Sequence, residues 1–71
     1  MNSIRVNYNS MKVIEALKWC ARKNIRSNYD LLKKLTYLDD ENLKNGIHIN
    51  LNLDFIVVEK IKDKKYYKLK N

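Results

Sequence analysis

The stretch Asp39-Asp40-Glu41-Asn42-Leu43-Lys44-Asn45-Gly46-Ile47-His48-Ile49-Asn50-Leu51-Asn52-Leu53-Asp54 constrains the fold more than any other, because it fits two secondary-structure periods at once. Ile47, Ile49, Leu51, Leu53 and Phe55 alternate with His48, Asn50, Asn52 and Asp54, as in a half-buried strand. Leu43, Ile47 and Leu51 recur at i, i+4 and i+8, the stripe of an amphipathic helix, which leaves Ile49 off the stripe and Asn50 inside it. Asp39 and Asp40 suit a helix start, where a short acid accepts from free amides and complements the dipole. A strand from Ile47 would run on to Ile61 with only Asp54 interrupting it, against a usual length of about 5–6 residues. A turn at Asn52-Leu53-Asp54 would divide that run into a meander, and Gly46 and its asparagine neighbours are poor helix formers. Both readings stand on the residues alone. The helix explains more of the flanking pattern, with Gly46 as the place where it would fray.

The rest of the chain is easier to order. Ile4, Val6 and Tyr8 alternate with Arg5 and Asn7, as in a short strand. Asn9 or Ser10 can cap a helix in which Met11, Val13, Ile14, Leu17, Cys20 and Ala21 form the apolar face and Glu15, Lys18 and Arg22 face outward. Trp19 lies off that stripe, at the core edge or in an interface. After the link Asn24-Ile25-Arg26, Ser27-Asn28-Tyr29-Asp30 fits a capping box before a second helix with Tyr29, Leu31, Leu32 and Leu35 as its apolar side. Phe55 to Ile61 is rich in β-branched residues and predicts a strand. Lys62-Asp63-Lys64-Lys65 predicts a turn and Tyr66 to Leu69 a returning strand. One of the adjacent Tyr66 and Tyr67 must face the core, because successive strand side chains alternate.

A chain of 71 residues is expected to form one domain, near the lower limit for a self-sufficient core. That leaves no room for a substrate-enclosing pocket, and no paired carboxylates or nucleophile–base pair suggest an enzyme. No cofactor or small-molecule substrate is expected. Cys20, the lone cysteine, predicts a buried reduced thiol, and with His48 as the lone histidine a zinc site is not expected. The absence of a signal-peptide pattern or a long apolar run predicts a cytoplasmic protein with no membrane partner. Net charge is +7, from 15 Lys and Arg against 8 Asp and Glu, and nucleic acid is the commonest intracellular partner of such a field. Twelve lysines against three arginines, with ten asparagines, suggest AT-rich coding of the phage, viral or plasmid kind.

Helix, short extended link, helix, turn, helix and basic hairpin follow one another, an order that resembles the winged helix-turn-helix superfamily from about Ser10 to Leu69. Leu31-Leu32-Lys33-Lys34-Leu35-Thr36-Tyr37 looks like the family's second helix and turn. Leu43 falls where its third helix inserts a first core residue, Leu51 to Ile56 is similar to its exit into the wing, and Lys60 to Leu69 looks like the wing. Leu32 stands where the family has a small residue, Thr36 where glycine is common, and Leu38 adds a residue to the turn. The resemblance implies an α+β fold: a small winged helix-turn-helix domain spanning 1–71, with three helices and a C-terminal β-hairpin, here with the short N-terminal strand. It also implies sequence-specific binding of double-stranded DNA, as in a small transcriptional regulator.

If the third helix enters a major groove, its outward residues are Asn42, Lys44, Asn45 and His48; asparagine can bond an adenine edge twice and lysine favours guanine acceptors. Phosphate contacts are expected from Lys60, Lys62, Lys64 and Lys65 of the wing and from Arg26, Lys33 and Lys34. Charge qualifies the picture, since residues 39–55 hold one lysine against four acids while both flanking segments are net positive. The reading helix would choose the sequence, and the basic flanks would hold the duplex. A homodimer is expected from chain size, with Trp19, Ile4 and Val6 as interface candidates. The alternatives are a protein–protein adaptor docking through Asp39 to Glu41, and RNA or single-strand binding.

Overall fold

The computed structural model describes residues 6–70. In order they form α1 (Tyr8–Lys23), α2 (Tyr29–Thr36), α3 (Asp40–Asn52), β1 (Ile56–Ile61) and β2 (Lys64–Leu69). α1 starts earlier than the sequence suggested. Asn7 is its N-cap, accepting at Oδ1 from Ser10 N at 2.9 Å, while Ser10 Oγ accepts from Asn7 N at 2.8 Å. This reciprocal pair satisfies two amides of the first turn and outcompetes the short alternation that predicted a strand. Tyr8 is therefore helical and Val6 and Asn7 belong to no strand; Ile4 and Arg5 lie outside the described residues. Val13, Ala16, Leu17 and Cys20 are buried along α1, and Asn24 closes it in the left-handed region at φ 56°.

The cap of α2 is likewise shifted by one residue. Asn28, not Ser27, accepts from Leu31 N, at 2.9 Å. Ser27 is buried instead in an antiparallel bridge to β2, its carbonyl accepting from Tyr67 N at 2.7 Å. α2 ends with buried Thr36, whose Oγ1 donates to Leu32 O at 2.8 Å, and with Tyr37 at φ 61°. The left-handed residue that breaks the helix is thus Tyr37.

α3 is a helix, so the strand reading of 47–53 falls. Its buried face is broader than the predicted stripe and takes in Leu43, Gly46, Ile47, Ile49 and Asn50, whereas Leu51 is exposed. Gly46 does not fray: it lies where α3 crosses α1, and a Cβ there would sit 2.6 Å from Asn9 O and 3.0 Å from Val13 Cγ2. Only glycine allows that approach. Four residues on, buried Asn50 donates from Nδ2 to Ser10 O and Gly46 O, each at 3.0 Å, pinning the same crossing from within.

After α3, Asp54 at φ 66° turns the chain and Phe55 N donates to Asn50 O at 2.9 Å, which leads directly into β1. β1 and β2 pair antiparallel from Ile56↔Leu69 to Ile61↔Lys64. The turn is tighter than expected, Lys62-Asp63 alone, at φ 50° and 67°, so Lys64 and Lys65 belong to β2. One core unites the elements: Val13, Ala16, Leu17, Leu32, Leu43, Ile47 and Ile56, edged by Ile14, Tyr29, Leu35, Leu38, Tyr67 and Leu69. Burying each large aliphatic side chain contributes about 1.5–3 kcal/mol. Three helices followed by a hairpin that pairs back to the α1–α2 link give an α+β domain with a winged-helix layout. No described helix is long and apolar enough to cross a membrane.

Candidate nucleic-acid interface

The acidic start of α3 is largely consumed by the fold. Asp39 caps the helix, accepting from Asn42 N at 2.9 Å. Asp40 lies 2.9 Å from Lys33 Nζ and accepts from the Tyr29 hydroxyl at 2.8 Å. The bond from Lys33, seconded by that from Tyr29, holds the Asp40 carboxyl below the usual carboxylate range. Burial, reinforced by the bond to Asp40 and its negative charge, pushes the Tyr29 phenol up to about 12. Among the described residues only Glu41 of the three acids has neither an ion pair nor a cap to serve. Lys33 is correspondingly committed, which leaves Lys34, exposed on α2, as the unpaired cation of the two.

The four predicted readers divide into two groups. Asn45 Oδ1 accepts from the side-chain amides of Asn7 and Asn9, each at 3.1 Å, and Asn42 Oδ1 accepts from Asn9 at 3.2 Å. Reading an adenine edge in two places requires that same oxygen, so these bonds to the start of α1 compete with base contact. Lys44 and His48 are exposed one turn apart, and Asn52 follows after another turn. Asn52 donates from Nδ2 to His48 O at 2.8 Å, and the same nitrogen lies 3.0 Å from His48 Nε2, which leaves Asn52 Oδ1 outside the pair. Asn52 was not among the predicted readers. Its signal was the i+4 spacing from His48, visible only once the helix was known to reach residue 52.

The hairpin carries the densest positive charge. Lys60 and Lys65 are direct cross-strand partners, with Lys62 and Lys64 at the tip beside them. None of these four has an acid within ion-pair distance among the described residues, whereas Lys68 pairs with Glu59 at 3.6 Å and Lys70 with Asp54. Arg26 is brought to the same hairpin by the Ser27–Tyr67 bridge, its guanidinium 6.0 Å from the Tyr66 ring centre. Tyr67 packs toward the core while Tyr66 lies under Arg26, so the adjacent tyrosines alternate as expected. Trp19 is partly exposed on α1 with Lys23 Nζ 5.9 Å from its ring centre, and Val6 is exposed ahead of α1. Ile4, the third interface candidate, lies outside the described residues.

The described residues contain no cluster of His, Cys, Asp and Glu able to hold a metal ion. Cys20 is buried as a free thiol. Compared with protein-family models, curated proteins and solved structures, the chain has no significant match in any of the three.

Proposed function

We propose that this chain binds double-stranded DNA as a winged-helix module of the kind used by small transcriptional regulators. In this reading α3 lies in the major groove and the hairpin follows the phosphate backbone. The observation that carries it is the Lys60–Lys65 pair. Like charges directly opposite each other on a sheet are unfavourable on their own, and an anion between them removes the penalty. Phosphates spaced along a duplex supply such anions; Lys62 at the turn, Lys64 on the opposite face of β2 and exposed Lys34 of α2 add further cations. Lys44, His48 and Asn52 form the outward stripe of α3 and offer both donor and acceptor groups to base edges. An adaptor docking through the acidic start of α3 has less support, since Asp39 and Asp40 already serve partners within the chain.

Fluorescence anisotropy with a labelled duplex tests the reading, using the wild type and a Lys60→Ser, Lys65→Ser double variant. The expectation is binding that unlabelled single strands compete for poorly and that the double variant weakens at least tenfold. Binding to no duplex at low salt would sink the proposal. Preferential competition by single-stranded DNA or RNA would replace it with the single-strand reading.

A further inference from the structure

Among the described residues, nine large hydrophobic side chains are exposed, and three of them share one depression of the surface. Val6, Met11 and Phe55, exposed by 49%, 54% and 44%, line one open groove of about 440 Å³ with Ile14 and Leu69. Ile14 and Leu69 are part-buried and pack on the core, so the groove has a fixed apolar floor. Its remaining lining is Glu15, Lys18, Asp54 and Lys70: two acids and two lysines on a chain of net charge +7. Asp54 and Lys70 already form an ion pair, and Glu15 lies 3.9 Å from Lys12, which is outside the groove.

This balance of charge decides the occupant. Two copies of so cationic a chain repel one another wherever their basic surfaces meet. Among the described residues the rim of the groove is neutral and carries both signs, so it can face its own twofold image without that repulsion. An apolar centre inside a polar rim is also the usual build of a protein–protein interface. We propose that this groove is a homodimer interface filled by the same face of a second copy, with Met11 and Phe55 as its anchors. The proposal retains Val6 as an interface residue and moves the centre of the contact away from Trp19, whose ring lies beside Lys23 and outside the groove. The groove shares no residue with Lys44, His48 and Asn52 or with the lysines of the hairpin tip, so both copies keep those groups exposed.

Equilibrium sedimentation of the full chain at micromolar concentration, without nucleic acid, tests this independently of the DNA reading. The expected result is a dimer that Met11→Lys weakens at least tenfold, that Glu15→Lys also weakens by unbalancing the rim, and that Trp19→Ala leaves intact. Far-UV circular dichroism confirms that each variant is folded. If Met11→Lys fails to fold, Glu15→Lys, at a solvent-exposed position, decides alone. A monomeric wild type would assign the groove to residues 1–5 or to a different protein and overturns the proposal. Dimerisation insensitive to Met11→Lys and Glu15→Lys, or abolished by Trp19→Ala, overturns it too.

Discussion

A single methyl group at position 46 would collide with the backbone of α1. Replacing a mid-helix glycine with alanine ordinarily stabilises a protein by about 1 kcal/mol. Here the added Cβ would meet Asn9 O at 2.6 Å, so Gly46→Ala is expected to cost about 1–3 kcal/mol through overpacking. Urea unfolding measures the difference, and a stabilised variant would contradict the crossing geometry. Tyr29 and Asp40 make a second residue-scale prediction. The phenol is raised from 10.0 to about 12 in the folded chain, so the stability it contributes is fully present below pH 10 and lost as pH rises from 10 toward 12. The Asp40 carboxyl is depressed, so its contribution is present above the ordinary carboxylate range and lost in acid. In an alkaline titration followed by tyrosinate absorbance, one tyrosine should titrate late, and Asp40→Asn should bring it earlier. Five tyrosines titrating together in the wild type would rule out the Tyr29–Asp40 bond.

The elements show how far local pattern reaches. The cap at Asp39, the apolar run of β1 and the order of three helices and a hairpin were legible because each rests on neighbouring residues. The caps of α1 and α2 were not, since the chain offers equivalent short polar residues side by side: Asn7, Asn9 and Ser10, then Ser27 and Asn28. Tertiary contact made the choice at the second site, where the backbone of Ser27 is taken by Tyr67. Period alone misplaced Ile49 and Leu51 and misread Gly46, and the role of Asn50, which it did put inside the stripe, comes like that of Gly46 from the opposing surface of α1. In the candidate site, the lysines were legible from charge, but the ties of Asn42 and Asn45 to Asn7 and Asn9 join residues more than thirty positions apart.

Two predictions belong at this scale. Lys62 and Asp63 both adopt positive φ, where asparagine and glycine are more at ease, so Lys62→Asn with Asp63→Gly should stabilise the chain by up to about 1 kcal/mol in urea unfolding. Selection from a random duplex pool should recover a base preference with the wild type and with Asn42→Ala. Lys44→Ala with His48→Ala should lose it, and a preference that follows Asn42 instead would reverse the division of the helix made above.

At the scale of the whole molecule, four of the fifteen cations are paired with acids among the described residues, and four others gather toward the hairpin tip. Four of the acids are paired with lysines, at Lys12–Glu15, Lys33–Asp40, Lys68–Glu59 and Lys70–Asp54, so the excess positive charge concentrates on the cations without such partners. These exposed pairs add little stability, about 0–1 kcal/mol each. Their effect is on the shape of the field, because they leave Lys60, Lys62, Lys64 and Lys65, beside the one acid Asp63, as the charge of the hairpin tip. The salt dependence of duplex binding tests that account most directly. Five phosphate contacts, from Lys34, Lys60, Lys62, Lys64 and Lys65, predict a log–log slope of about −4.5 for the wild type, and about −2.7 for Lys60→Ser with Lys65→Ser. A slope near zero, or the same slope in both proteins, would contradict the hairpin's role in holding DNA.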